Sequence, residues 1–270
     1  MDRRGADTGS VRLSARRLGA QGAETLDENV AEEVAVALVY NGVSHAVMMA
    51  TPCDLEDFAR GFSLSERIVE KPSEIFDVEV EKSGQGYEVQ LRIAGGRMAA
   101  LHQQRRSLAG RTGCGLCGVE SLDAAMRPVA TVSAPQPVSA ASIRRAMADL
   151  PAHQAINRVN GATHAAGWAD ASGALVAVRE DVGRHNALDK LIGALAKQGE
   201  MAPGGFVVVT SRCSYEMVQK AAAAGASAIA AVSAPTSLAI DTAKTAGVSL
   251  AAFVRGDRLT VYALPERIVA

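Results

Sequence analysis

The chain has 270 residues, 48% of them hydrophobic but only 4% aromatic, with a formal net charge of -1 from 28 Lys and Arg against 29 Asp and Glu. That length and content suit one large domain or two modest ones around a core of small side chains. The balanced charge lacks the large positive excess of a dedicated nucleic-acid binder, and no stretch approaches the about 18 apolar residues of a membrane span.

Residues 1–30 are polar and carry Arg3, Arg4, Arg12, Arg16 and Arg17. They lack both a hydrophobic period and the apolar core of a secretory signal, so they read as a flexible arm on a cytoplasmic protein. A hairpin-rich β/α subdomain, residues 31–130, follows. Val34, Val36, Leu38 and Tyr40 alternate as a strand, Asn41-Gly42 supplies a hairpin turn, and residues 43–50 return as a second strand. Thr51-Pro52-Cys53-Asp54 breaks that run, and Asp54 is placed to cap a helix carrying Leu55, Phe58, Phe62 and Leu64. Residues 77–80 and 87–93 form another hairpin around Ser83-Gly84-Gln85-Gly86. Over residues 101–118, Arg105, Arg106, Arg111, Gly113, Gly115 and Gly118 accompany Cys114 and Cys117, and glycine at that density predicts a loop.

Residues 131–270 alternate more regularly. A helix is expected over 141–150, then a strand over 174–178, a helix over 184–197 and a strand over 206–210. A helix over 214–224 ends at Gly225, and a strand runs over 227–232. Pro235 opens a helix that stops before Gly247, and strands over 248–254 and 259–263 flank Gly256-Asp257. This order predicts an α/β domain whose mixed sheet is flanked by helices.

In such sheets ligands bind beyond the carboxyl ends of the strands. Three polar junctions lie there: Arg179-Glu180-Asp181 leading into Arg184-His185-Asn186, Thr210-Ser211-Arg212, and Ser233-Ala234-Pro235-Thr236-Ser237. Each precedes a helix start, where free N–H groups and the helix dipole favour phosphate; simple capping by Ser, Thr and Asp is the plainer alternative. Arginine at two of the three tilts the reading toward an anionic ligand.

The four cysteines are too few for a disulfide scaffold, so the Cys114–Cys117 spacing points to metal or thiol chemistry. Gly113 to Gly118 formally matches G-x-G-x-x-G, but no strand pattern precedes it, which argues against a dinucleotide site. One C-x-x-C supplies only two of the four ligands of a structural zinc. A zinc deaminase needs His-x-Glu before its cysteines, whereas His164-Ala165-Ala166 follows them and lacks the Glu. Cys53, Cys213 or a histidine could complete a structural zinc site, and thiol exchange is a further reading that nearby arginines favour by promoting the reactive thiolate. Cys53 and Cys213 read as small packing residues, His164 as a core histidine, and Met48 and Met49 as gap fillers.

These segments closely resemble the FdhD family of formate dehydrogenase accessory sulfurtransferases, over nearly the whole chain after the arm. The resemblance rests on Tyr40-Asn41-Gly42, Met48 to Glu56, Arg111 to Gly118, Glu180 to Lys190, Ser214-Tyr215-Glu216-Met217 and Ser233 to Ser237. It implies a cytidine-deaminase-like fold without deaminase activity, in a homodimer. It also implies that a cysteine desulfurase donates sulfur, that Cys114 carries it as a persulfide with Cys117 as partner, and that the acceptor is the molybdenum of bis(molybdopterin guanine dinucleotide), bound as a substrate. The formate dehydrogenase apoenzyme is then a partner, and no permanent metal is expected. Phe253, Val254, Arg255, Gly256, Asp257 and Arg258 match the family's cofactor-contacting stretch, joined at the strand ends by Arg184, His185, Arg212, Ser233 and Thr236. Arginine can bind phosphate in a bidentate way, and Phe253 can pack on a flat ring. One departure is Asn160-Gly161-Ala162-Thr163-His164, which leaves the role of the Thr hydroxyl open. The competing reading is a non-catalytic cofactor chaperone with a structural metal at Cys114 and Cys117.

Overall fold

The structure, a computed structural model, describes residues 9–20, 22–108, 129–133, 135–199 and 204–270. The first part holds β1 (Ser10–Gly19), β2 (Gly22–Ala31), β3 (Val34–Tyr40), β4 (Val43–Ala50), α1 (Leu55–Ser65), β5 (Ile75–Ser83), β6 (Gly86–Ile93) and α2 (Gly95–Leu108). The second holds β7 (Val138–Ser139), α3 (Ala140–Asp149), α4 (Ala155–Asn160), β8 (His164–Ala169), β9 (Leu175–Asp181), α5 (Arg184–Gln198), β10 (Phe206–Val209), α6 (Tyr215–Ala223), β11 (Ala228–Ala231), α7 (Ser237–Ala246), β12 (Ser249–Arg255), β13 (Arg258–Ala263) and β14 (Ile268–Val269). No helix among the described residues is long and apolar enough to cross a membrane.

The smaller sheet has four strands in the order β4-β3-β6-β5. Asn41 and Gly42 both take positive φ, 47° and 81°, the geometry that a two-residue hairpin turn with the right twist requires. Asn41 also ties that turn to the end of β6, donating to the Ile93 carbonyl at 3.1 Å and accepting from the Ile93 N–H at 2.8 Å. Val36, Leu38, Tyr40, Val89 and Leu91 face inward, and α1 covers them with Leu55, Phe58 and Ala59.

The larger sheet has six strands in the order β13-β12-β11-β10-β8-β9. β10, β11 and β12 run parallel, while β8 and β13 run antiparallel to their neighbours, so the sheet is mixed as its sequence order implies. One face packs on α5, α6 and α7 through Leu188, Leu191, Met217, Val218 and Ala243; the other packs on α3 through Ile143 and Met147.

α1 and α5 cross at a very close approach. A Cβ on Gly61 would collide with the Asp189 carbonyl, and one on Gly193 with the Asp57 carbonyl. Two buried charged clusters flank that seam. Lys190, 0% exposed, pairs with Asp181 at 2.7 Å and donates to the Thr51 carbonyl at 3.0 Å, while Asp181 accepts from the Thr51 N–H at 3.0 Å. Lys220 lies 2.9 Å from both Asp189 and Glu66 and donates to Ser65 at 2.9 Å.

Several expectations require correction. Residues 10–31, expected within a loose arm, form a ten-rung antiparallel ribbon. Its alternation is masked because Arg12–Asp27, Arg17–Glu24 and Arg17–Glu28 ion pairs occupy many positions. Residues 101–108, expected in a loop, end α2. Ala, Leu, Gln and Arg are good helix formers there even without an apolar stripe. The rest of the predicted loop, residues 109–118, lies outside the described residues. Asp54 precedes α1 but makes no side-chain cap bond, since its backbone is left-handed and its carboxylate sits 3.6 Å from Arg179. Pro235 does not begin a helix: Thr236 is the N-cap, accepting from the Ala239 N–H at 3.2 Å.

Candidate functional site

Because β8 is antiparallel to both β9 and β10, β9 points the same way as β10, β11 and β12. All four therefore deliver their carboxyl ends to one edge, and α5, α6 and α7 start from it. The junctions singled out in the sequence are bonded to one another there. Cys213 donates its N–H to the Ala234 carbonyl and accepts from the Thr236 N–H, both at 3.1 Å, which joins the Arg212 and Ser233 junctions. The Phe253 N–H donates to the Ser233 carbonyl at 3.3 Å, and Arg255 Nε to the Val232 carbonyl at 3.3 Å, which joins the β12–β13 turn. On the other side, His185 Nε2 lies 3.0 Å from Glu216 Oε2, linking the starts of α5 and α6. Arg184, His185, Arg212, Ser233, Thr236, Phe253, Arg255 and Arg258 thus line one continuous rim.

Their individual settings differ. Thr236 spends its hydroxyl on the α7 cap, as the plainer reading anticipated. Val254 is 2% exposed and packs in the core, so only its backbone borders the rim. Phe253 has φ of 52° and is 43% exposed, with its ring centroid 6.5 Å from that of Tyr262. A bulky residue held in left-handed backbone beside an exposed edge is the kind of strain that accompanies binding sites. The irregular β12–β13 register between Ala252 and Arg255 accommodates it. Gly256 takes φ of 57° in the turn that brings Arg255 opposite Arg258.

Arg184 Nε, His185 Nε2 and Ser214 Oγ are buried at this rim and have no hydrogen-bond partner. Unpartnered buried polar atoms are costly, and here they lie where an anion would meet two helix starts. Burial and the neighbouring Arg184 push the His164 imidazole below its ordinary range, so it stays neutral near pH 7. The close approach of His185 Nε2 holds the Glu216 carboxyl below the usual carboxylate range despite some burial.

The acidic residues of the first junction serve the fold. Glu180 accepts from the Ile156 and Asn157 N–H groups, both at 2.8 Å, and from the Thr163 hydroxyl at 2.9 Å. The Thr163 hydroxyl thus helps fix β9 to α4. Asp181 accepts from Gly183 and Asn186, and Arg179 turns away to Asp57 at 2.7 Å. On the α3 side of the β12–β13 turn lies a cavity of about 160 Å³ lined by Arg144, Met147, Val232, Val254, Arg255 and Gly256. Arg144 and Glu216 were not singled out for binding in the sequence. Glu216 stands in a recognised motif, but nothing local marks Arg144.

Cys114 and Cys117 lie outside the described residues. The two described cysteines are poor nucleophiles: burial pushes the Cys53 thiol up to about 11 and the Cys213 thiol up to about 12.

Comparison with known proteins places this architecture. The FdhD/NarQ family pattern matches residues 31–269. The chain is 51% identical over 263 residues to the sulfur carrier protein FdhD of Bordetella petrii, covering 97% of this chain and 94% of that protein. It is 56% identical over 241 residues to the sulfur carrier protein FdhD of Cupriavidus necator, covering 89% and 84%. A crystal structure from Desulfotalea psychrophila, described as a candidate formate dehydrogenase accessory protein, superimposes with a TM-score of 0.75 at 25% identity, covering 96% of this chain and 99% of that one. The chain belongs to the FdhD/NarQ family.

Proposed function

We propose that this protein is a cytoplasmic sulfur carrier that serves the maturation of formate dehydrogenase. In this reading a cysteine desulfurase offers a persulfide, and the Cys114 thiolate attacks its outer sulfur. The desulfurase thiolate leaves and Cys114 keeps the sulfur as its own persulfide. When the Cys117 thiolate then attacks Sγ of Cys114, the outer sulfur departs with its bonding pair as hydrosulfide, and a dithiol reductant reopens the resulting disulfide. The sulfur is passed to the molybdenum of bis(molybdopterin guanine dinucleotide), the bound substrate, before that cofactor enters the apoenzyme.

The observation that carries this reading is the strand-end rim. It brings Arg184, Arg212, Arg255 and Arg258 to one edge, where Arg184 Nε, His185 Nε2 and Ser214 Oγ are buried and lack partners. That is a donor set suited to phosphates, with Phe253 exposed beside it for a flat ring. The order of strands and helices also supports a cytidine-deaminase-like assignment for the second part. Family membership and the two curated relatives, both sulfur carrier proteins, support the rest.

Mass spectrometry after incubation with a cysteine desulfurase and cysteine tests the reading. Wild type is expected to gain the mass of one sulfur atom, and Cys114→Ala to lose that gain. Full retention in Cys114→Ala would remove the carrier role from this cysteine. Stoichiometric zinc that disappears in Cys114→Ala would instead support the chaperone reading.

A further inference from the structure

Thr51, at the end of β4 in the first part of the chain, directs its N–H, carbonyl and hydroxyl at the start of α5. Its N–H donates to Asp181 Oδ2 at 3.0 Å, and its carbonyl accepts from Lys190 Nζ at 3.0 Å. Its hydroxyl accepts from the Val182 N–H at 3.1 Å. Two residues earlier, the Met49 carbonyl accepts from the Asn186 amide at 2.8 Å. Asp181 closes the cluster from the other side, where its Oδ1 accepts from the Gly183 N–H at 2.8 Å and from Asn186 Nδ2 at 3.0 Å. Gly183 leaves room for that amide, since a Cβ there would lie 2.9 Å from Asn186 Nδ2. The N–H groups of both Val182 and Gly183 are therefore held, one of them by a residue of the first part.

These bonds fall on the two residues that lead into Arg184 and His185. The N-cap of α5 is Gly183, which has no side chain to fix the first turn, whereas α7 is capped by its own Thr236. Arg184 Nε and His185 Nε2 have no hydrogen-bond partner among the described residues, so no bond at those atoms sets where they point. Their aim depends on the backbone that carries them. The plainer view is that the cluster only ties the two parts of the chain together. The Lys190–Asp181 pair, at 2.7 Å, already does that, and it uses only the backbone carbonyl of Thr51. The Thr51 hydroxyl and the Asn186 amide are additional, and both act on the turn before Arg184. Thr51 is 0% exposed and Asn186 4%, so each bond is shielded from water.

We propose that Thr51 and Asn186 are positioning residues of the rim: they hold Val182 and Gly183 so that Arg184 and His185 enter α5 aimed at a bound phosphate. This rests on the reading of the rim as a phosphate-binding edge. Both residues act through the backbone rather than by touching the ligand. Donors of this kind must be held to within about 0.5 Å to bind well, and a turn without its own cap does not supply that precision. The ligand affinity of the second part is then set in part by a side chain at the end of β4 in the first.

Calorimetric titration of the full chain with GDP, well below the melting temperature, provides the test. Thr51→Val keeps the shape and the backbone bonds but removes the acceptor for the Val182 N–H. It should weaken GDP binding about 10-fold, within the range reached by residues that act at one remove. Asn186→Ala should weaken it similarly, and Thr51→Ser, which keeps the hydroxyl, should bind as wild type does. Val89→Ala, a fully buried site in the smaller sheet, loses stability through a core cavity and should leave GDP binding unchanged. In NMR spectra of the histidine rings, the His185 signal, identified by its absence in His185→Gln, should move in Thr51→Val and stay in place in Thr51→Ser. Unchanged affinity in Thr51→Val or in Asn186→Ala would overturn the proposal, as would an equal loss in Val89→Ala or an unmoved His185 signal in Thr51→Val. Wild type that fails to bind GDP would instead remove the phosphate reading of the rim, and the His185 signal would then decide alone whether Thr51 sets the place of that side chain.

Discussion

In the larger sheet, Phe206, Val207, Val208 and Val209 are buried along the whole of β10, because helices lie on both faces. In the smaller sheet, β6 buries Val89, Leu91 and Ile93 and leaves Gln90 and Arg92 between them more exposed, because α1 covers one face only. A strand enclosed on both sides reads as a continuous apolar run, and one with a free face reads as an alternation. The difference also sorts function. The enclosed sheet opens to solvent at its strand ends, where the candidate ligand rim lies, whereas the half-covered sheet keeps one broad exposed face.

Matched aromatic deletions should make this contrast measurable. Phe206→Ala empties a fully buried site and is expected to cost about 3–5 kcal/mol in urea unfolding. Phe76→Ala, at a position 59% exposed, should change stability by no more than about 0.5 kcal/mol in the isolated chain. Similar costs at both sites would mean that the smaller sheet is enclosed after all.

The seam between the sheets is the next place to press. Lys190→Ala leaves Asp181 buried without its cation, which costs about 3–5 kcal/mol where such pairs are enclosed. Lys190→Met should cost about as much, because it restores bulk but not charge. If Lys190→Met were much milder, the lost packing of the long stem would be the larger cause. Gly61→Ala tests the helix contact itself. Its methyl must push α1 from the α5 backbone, for a loss of about 1–3 kcal/mol seen as a lower melting temperature. A neutral outcome would show that the two parts slide apart without penalty.

Much of this could be read from residues alone, for identifiable reasons. Asn41-Gly42 marks its turn because few residues tolerate two consecutive left-handed positions, and the long α5 shows a clear apolar period. β8 went unseen because His-Ala-Ala-Gly-Trp-Ala is poor in β-branched residues; tertiary pairing with β9 and β10 makes it a strand. The ribbon went unseen because its charges pair across strands rather than along the sequence. At the rim, glycine, serine and arginine before each helix start were legible as a candidate site. The roles of Glu180, Asp181 and Lys190 were not, because each depends on a partner far away in sequence. Asp181, for example, meets Thr51 across 130 residues.

A small effect is also expected on the rim, at the strand ends of the larger sheet. Glu216 is ionised at a lower pH when folded than its ordinary 4.5, chiefly because His185 Nε2 lies against it, so the folded state favours the carboxylate. The stabilisation is therefore present above pH 4.5 and is lost as the pH falls through the lower, folded value. Because the pair is only half-buried, it is worth about 1 kcal/mol or less. Glu216→Gln should thus be slightly less stable than wild type near pH 6 and converge with it in acid, as followed by urea unfolding across the pH range. Guanine nucleotide binding should change little if the pair merely holds α5 against α6. A large loss of binding with unchanged stability would instead make Glu216 part of the ligand contact, and would extend the functional edge from the arginines to the carboxylate between them.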